Sequence, residues 1–155
     1  CGKTTVGRCL AALTGRRFVD MDAFIEEGAE MTVGEIFDRY GEADFRRRER
    51  EVCAALAAME GLVIAAGGGA LTFPENAAVL AATGTIVLLE VSPETVLRRL
   101  EGDDSRPLLR RPDKAEAVRE LMERREPLYR AAASVTVSGE AEPAVVASKI
   151  LEICG

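Results

Sequence analysis

The first five residues, Cys1-Gly2-Lys3-Thr4-Thr5, decide how the rest of the chain is interpreted. Gly-Lys-Thr is the second half of the phosphate-binding pattern G-x-x-x-x-G-K-[ST], in which backbone N–H groups surround the phosphates, the lysine reaches the outer phosphates and the hydroxyl binds Mg²⁺. Glycine lets the backbone approach a phosphate closely, and the helix that follows presents its positive end. Because the tripeptide is also compatible with an ordinary helix start, its interpretation depends on the residues downstream.

Composition narrows the class of protein. The chain has 155 residues, of which 48% are hydrophobic and 30% charged, which is typical of one soluble domain with its own core. A net charge of −6 argues against a broad nucleic-acid-binding face, and no apolar run reaches the ~18 residues that a membrane span needs. The sequence contains no histidine, which excludes histidine-based catalysis and cysteine–histidine zinc sites. Cys9 falls on an apolar helix face, which suits a core residue in a reducing, cytoplasmic compartment.

Local patterns predict the bounds of two helices. Apolar residues recur at helical spacing and predict one buried face, formed by Val6, Cys9, Leu10 and Leu13. Gly15 is expected to end this helix. Thr32 and Glu35 form a capping box that opens a second, short helix, and Gly41 is expected to end it.

Strand-like and helix-like patterns alternate along the chain. The continuous apolar run at residues 62–66 predicts a strand buried on both faces, and residues 86–91 form the clearest strand. This alternation predicts a three-layer α/β/α domain over residues 1–155, with a mostly parallel sheet and with ligands at the carboxyl ends of its strands.

Two stretches that follow predicted strands are candidate site segments. Phe18-Val19 predicts a short strand that runs into Asp20-Met21-Asp22, and alternation puts Asp20 and Asp22 on the same side of this extended chain. Two carboxylates there repel unless a cation or a proton lies between them. The alternative is a pair of solvated loop aspartates. Gly67-Gly68-Gly69 indicates close approach of the backbone to a ligand, and the alternative is a flexible turn.

Arginines occupy positions where their charge needs an explanation. Arg46 opens a run of three near a helix start, where cations are disfavoured unless an anion lies nearby; the alternative is a solvated face. Helical spacing puts Arg125 on an inward face and Arg124 in solvent. Pro127 is expected to bend or interrupt that helix.

The segment 102–114 lacks apolar periodicity, contains Arg106 and predicts a lid loop.

The chain resembles shikimate kinases, which are P-loop kinases of aromatic amino-acid biosynthesis with the nucleoside monophosphate kinase type of fold. The resemblance rests on six segments in family order: CGKTTVGRCLA, DMD, IFDRYGEADFRRRE, AAGGGA, SRPLLR and RREPLYR. The family has a strand and the first glycine of the phosphate loop before the position of Cys1, so we expect this sequence to begin inside that motif.

The resemblance implies a reaction: transfer of the γ-phosphate of MgATP to the 3-hydroxyl of shikimate, giving shikimate 3-phosphate and ADP. Gly2, Lys3, Thr4 and Thr5 would hold the phosphates, and Thr4 with Asp20 would hold Mg²⁺. This implies ATP and Mg²⁺ as requirements.

The resemblance also implies the acceptor site. Asp22 would bind the accepting hydroxyl, and Arg46 and Arg125 would hold the carboxylate of shikimate. Gly67, Gly68 and Gly69 would approach the ring hydroxyls, Glu49 would orient Arg46, and Arg106 would close over the transferring phosphate. Arg99 and Pro143 match positions that contact adenine in the family.

Within the single domain, residues 22–59 would be the substrate-binding part and residues 102–114 the lid. We expect a monomer that binds shikimate and ATP, with neither a nucleic acid nor a membrane as partner. Two alternatives remain: a related kinase acting on gluconate or a nucleoside monophosphate, and a nucleotide-binding module without catalysis. The set Asp22, Arg46, Gly67–Gly69 and Arg125 argues against the related kinases. No sequence feature favours the module without catalysis, since every expected catalytic position present in the chain is filled.

Overall fold

The computed structural model describes residues 2–99 and 114–154. Arg106 and almost all of the predicted lid lie outside these residues. The strands are β1 (Arg17–Asp20), β2 (Leu62–Ala65), β3 (Val87–Glu90) and β4 (Val135–Ser138). The helices are α1 (Lys3–Thr14), α2 (Met21–Ala29), α3 (Val33–Ala57), α4 (Pro74–Ala81), α5 (Pro93–Arg99), α6 (Lys114–Ala132) and α7 (Pro143–Cys154), with a 3₁₀ turn at Ala70–Thr72.

The strands pair in parallel, as the alternation of patterns predicts. β1 pairs with β2 from Arg17 opposite Leu62 to Asp20 opposite Ala65, and β3 pairs with β4 over their whole lengths. Within the described residues these are two separate two-stranded ladders. The run is less buried than expected: Leu62, Val63 and Ile64 are half-buried and Ala65 is buried, and within the described residues β2 pairs with β1 alone.

Helix α1 begins inside the Gly-Lys-Thr tripeptide, at Lys3. Gly2 precedes it with a φ of 84°, and Gly15 ends it with a φ of 70°, the left-handed conformation predicted for a glycine stop. The helix packs against α7 and β2. Val6 and Ala11 form its buried face, whereas Leu13 is 53% exposed although the spacing predicts it to be inward.

The join between β1 and α2 overturns one expectation. Asp20 ends the strand and caps the helix, since the backbone N–H of Ala23 donates to Asp20 Oδ1 over 3.1 Å. Asp22 already lies in the first turn of α2. The two aspartates therefore do not share one side of an extended chain, because the helix begins between them.

Helix α3 is two helical segments joined at Gly41. Thr32 caps the first segment, accepting from the backbone N–H of Glu35 over 3.1 Å, as the capping pattern predicts. Gly41 has non-helical angles of φ 83° and ψ 173°, which confirms the predicted break. By contrast, α6 continues through Pro127 to Ala132, so the proline does not interrupt it. No helix in residues 2–99 or 114–154 is long and apolar enough to cross a membrane.

Candidate active site

Gly67, two residues after the end of β2, lies against two carboxylates. A Cβ built on Gly67 would be 2.7 Å from Asp22 Oδ1 and 3.3 Å from Glu49 Oε2. Asp22 comes from the first turn of α2 and Glu49 from the second segment of α3. Asp22 and Glu49 thus come together beside Gly67, because the glycine has no side chain to occupy this space and the two helices meet at the end of the strand.

Arg46 lies against the last glycine of the triplet. A Cβ on Gly69 would be 2.5 Å from Arg46 Nη1 and 2.7 Å from Nη2. Arg46 Nη1 also donates to Glu49 Oε1 over 2.6 Å. Its guanidinium carbon is 5.4 Å from the ring centre of Phe73 and 5.5 Å from that of Phe45. The space left by the missing side chain at Gly69 is therefore used by the protein's own Arg46, whose orientation is fixed from several directions.

Glu49 is the buried centre of this group, with only 1% of its surface exposed. Burial raises the pKa of Glu49, and the hydrogen bond and charge of Arg46 oppose that shift. The charges of Asp22 and Arg125 also act on its pKa, in opposite directions. Two carboxylates and two guanidinium groups from α2, α3 and α6 therefore form one electrostatic cluster.

Helix α6 supplies Arg125 to that cluster. Arg125 is half-buried and Arg124 exposed, as the helical spacing predicts. One turn later, Tyr129 donates a hydrogen bond from its hydroxyl to the carbonyl oxygen of Gly68. Sequence reasoning missed Tyr129, although its spacing of four residues from Arg125 puts both on one helix face.

The phosphate-loop residues lie at the same end of the strands. Lys3 Nζ donates to the carbonyl oxygen of Ala66 over 2.6 Å, immediately after β2. Thr4 Oγ1 donates to Asp20 Oδ2 over 3.1 Å, at the end of β1. A hydroxyl beside a carboxylate is a hard-oxygen pair, which suits Mg²⁺ that keeps most of its water ligands. Among the described residues, no group of three or more aspartate, glutamate, cysteine or histidine side chains forms a metal cage.

A pocket next to the phosphate loop includes the residues expected near the nucleotide. Its lining includes Gly2, Thr5, Arg99 and residues 139–143. Arg99 Nη2 donates to the carbonyl oxygen of Gly139 over 2.9 Å. The Glu140 carboxylate accepts from the Ser92 backbone N–H and from Thr95 Oγ1, each over 2.6 Å, and the Thr95 bond is the main cause of its lowered pKa. These bonds attach the loop after β4 to the start of α5.

The arrangement defines a class of protein. A lysine and a threonine at the start of a helix, next to strand ends, match the residues of a phosphate site, and the threonine lies beside a carboxylate that suits a metal. A separate cluster with two arginines can bind an anionic acceptor. These are the parts of a P-loop phosphotransferase that acts on a small molecule.

Comparison with known sequences defines the family. The shikimate kinase family model matches residues 1–154, and the chain belongs to that family. A shikimate kinase from Geobacter sulfurreducens is 46% identical over 128 residues, covering 83% of this chain and 71% of that protein. One from a Synechococcus species is 41% identical over 153 residues, covering 98% of this chain and 76% of that protein.

Solved structures agree in fold. The shikimate kinase from Acinetobacter baumannii, solved in complex with shikimate, superposes with a TM-score of 0.94 at 40% identity, covering 98% of this chain and 86% of that one. The Aquifex aeolicus shikimate kinase superposes with a TM-score of 0.84 at 34% identity, covering 97% and 88%. The predicted P-loop kinase fold with three α/β/α layers is thereby confirmed.

Proposed function

We propose that this protein transfers the γ-phosphate of MgATP to the 3-hydroxyl of shikimate, producing shikimate 3-phosphate and ADP for aromatic amino-acid biosynthesis. The observation that carries the proposal is the group formed by Asp22, Arg46 and the buried Glu49 around the glycine triplet, beside the phosphate loop. The shikimate found in the Acinetobacter baumannii structure supports this acceptor.

On the acceptor side, Arg46 and Arg125 bind the carboxylate of shikimate. Two planar guanidinium groups match a carboxylate better than ammonium groups would. Glu49 holds Arg46 by a 2.6 Å bond, which fixes one guanidinium edge before the substrate arrives. Asp22 accepts the hydrogen bond of the reacting hydroxyl and orients that oxygen toward the phosphate. The proposed substrate-binding part therefore lies within residues 22–59, where it consists of Asp22, Arg46 and Glu49, and it includes the triplet Gly67–Gly69.

On the nucleotide side, the backbone of Gly2 and Thr5 and the ammonium of Lys3 bind the phosphates, and Arg99 and Pro143 line the adenine end. The 3.1 Å pair Thr4–Asp20 would hold Mg²⁺, Thr4 directly and Asp20 through water. Bound there, Mg²⁺ would neutralise phosphate charge, which is the main requirement of phosphoryl transfer. Arg106 and the lid at residues 102–114 are proposed to close over the transferring group and exclude water.

The test compares acceptors side by side. ADP release is measured with shikimate, gluconate and nucleoside monophosphates, each with and without Mg²⁺. We expect release that depends on both shikimate and Mg²⁺, with the other acceptors near the background rate. ADP release with gluconate or a nucleoside monophosphate, and none with shikimate, would show that the protein is a related kinase with another acceptor. No acceptor-dependent release at all would favour a module that binds nucleotide without catalysis.

A further inference from the structure

Tyr129 connects two segments of the acceptor site that are far apart in sequence. Its hydroxyl on α6 donates to the carbonyl oxygen of Gly68, the middle residue of the glycine triplet and 61 positions away. Tyr129 is half-buried and lies one helical turn after Arg125, on the same face. The helix that carries one of the two arginines is therefore bonded directly to the backbone of the triplet.

The other carbonyl groups of the triplet are held locally. The carbonyl of Gly67 accepts from the backbone N–H of Ala70 over 3.2 Å. That of Gly69 accepts from Thr72, through its N–H over 3.2 Å and through Oγ1 over 2.6 Å. The bond to Gly68 differs because its donor comes from another element of the fold. Helix α6 also packs on the 3₁₀ turn at Ala70–Thr72, so the contact is part of a wider interface.

Three consecutive glycines have more backbone freedom than any other tripeptide, so their conformation must be imposed from outside. Gly67 and Gly69 are where Asp22 and Arg46 fit against the backbone. A shift of the triplet would therefore displace the acceptor-binding groups on α2 and α3. The distance between the triplet and Arg125 depends in turn on the position of α6.

We propose that Tyr129 is a positioning residue for the acceptor site. Its hydroxyl fixes the glycine triplet relative to Arg125, so that the two sides of the site have the right separation before the acceptor binds. This inference rests on the proposed function only for the identity of the acceptor, since the hydrogen bond itself is independent of which small molecule is phosphorylated.

The test uses the two tyrosines of the chain as a matched pair. Tyr129→Phe keeps the ring and removes only the hydroxyl, and Tyr40→Phe makes the same change at a residue that is 52% exposed. We expect Tyr129→Phe to raise KM for shikimate about three- to tenfold, the range for one lost hydrogen bond, with KM for MgATP unchanged. Tyr40→Phe should change neither constant.

Hydrogen exchange gives a second readout. Backbone amides of residues 67–72 should exchange faster in Tyr129→Phe than in the wild type, and should be unaffected in Tyr40→Phe. Equal changes in both KM values would indicate a general loss of structure and overturn the proposal, as would unchanged exchange with an unchanged KM for shikimate. If the wild type phosphorylates a different acceptor, the proposed function fails, and the same KM comparison on that acceptor still decides the role of Tyr129.

Discussion

The proposed acceptor side and the proposed nucleotide side of the site are built differently. At the acceptor side, Glu49 is 1% exposed and the Arg46 side chain 17% exposed, and the two charges are paired to each other. At the proposed nucleotide side, Arg99 and Glu140 are exposed. Arg99 donates to a backbone carbonyl, and Glu140 accepts from a backbone N–H and from a hydroxyl. The difference suggests that acceptor selectivity is built into a preorganised cluster, whereas nucleotide binding depends on backbone groups and on charges at the surface.

A substitution at Asp22 should have the largest effect on the acceptor side. Asp22→Asn keeps the shape of the side chain but removes its charge and basicity. We expect kcat to fall by about 10²–10⁴-fold, the range for general-base assistance, while shikimate and MgATP still bind. A loss at the low end would mean that Asp22 mainly orients the hydroxyl, because the transition state of phosphoryl transfer is loose. Steady-state kinetics with both substrates varied measures this.

Asp20→Asn is the matched variant two residues earlier. Asparagine can still cap α2, so the variant should keep the fold. Because Asp20 faces Thr4, we expect the Mg²⁺ concentration for half-maximal rate to rise, and added Mg²⁺ to restore part of the activity. A Mg²⁺ titration of kcat for both aspartate variants decides the assignment. Rescue of Asp22→Asn alone would reverse the two roles.

The two neighbouring arginines of α6 test whether burial on the acceptor side matters. Arg125→Ala should weaken shikimate binding strongly, since losing one partner of a hydrogen-bonded charge pair costs about 2–5 kcal/mol. Arg124→Ala should have almost no effect, because Arg124 is exposed and Arg125 is half-buried next to the cluster of Glu49. Titration calorimetry with shikimate gives both affinities. Equal losses of shikimate affinity in the two variants would show that the position of an arginine on the face of α6 does not determine its role in binding.

Gly67→Ala tests the close packing of the triplet. The added Cβ would lie 2.7 Å from Asp22 Oδ1, so Asp22 must move. A misplacement of about 1 Å at a reacting group can cost up to about 10²-fold, so we expect kcat/KM for shikimate to fall by about 10- to 100-fold. Gly28→Ala is the control, since nothing lies within 4 Å of its Cβ position on α2. It should leave kcat/KM unchanged and raise stability slightly. Full activity of Gly67→Ala would show that Asp22 can relax without loss.

Features governed by nearby residues could be predicted from the sequence. The stop at Gly15, the break at Gly41 and the cap at Thr32 each depend on one residue and its immediate neighbours, and the structure confirms them. The inward position of Arg125 also follows from the spacing of its own helix.

Features that depend on contacts between elements could not be predicted. The sequence does not decide between one extended segment through Asp22 and a helix capped by Asp20, because aspartate suits both and the short strand runs directly into the helix. Leu13 fits the spacing of a buried face but is exposed, since no other element covers it in the described residues. The room at Gly67 and Gly69 is used by side chains from α2 and α3, which a local reading of three glycines does not reveal.

The smallest expected effect, and the most specific one, is at Glu49, because a buried carboxylate distinguishes the proposed acceptor side from the nucleotide side. Burial raises the pKa of Glu49 above its usual range despite the bond from Arg46. The folded protein therefore holds this proton more tightly than the unfolded chain. Glu49 contributes stability that is fully present below its ordinary pKa and is lost as pH rises through the higher folded pKa.

Glutamine at residue 49 cannot titrate, so the Glu49→Gln variant should not lose this contribution to stability as pH rises. We expect the melting temperature of the variant, relative to wild type, to increase as pH rises from about 4 to 8. Other carboxylates titrate in both proteins and cancel in the difference. Glu51→Gln on the same helix, with a side chain 65% exposed, controls for the change from carboxylate to amide at the surface. A relative melting temperature that falls with pH would mean that the pairing with Arg46 outweighs burial, and that the ionised Glu49 stabilises the acceptor cluster rather than straining it.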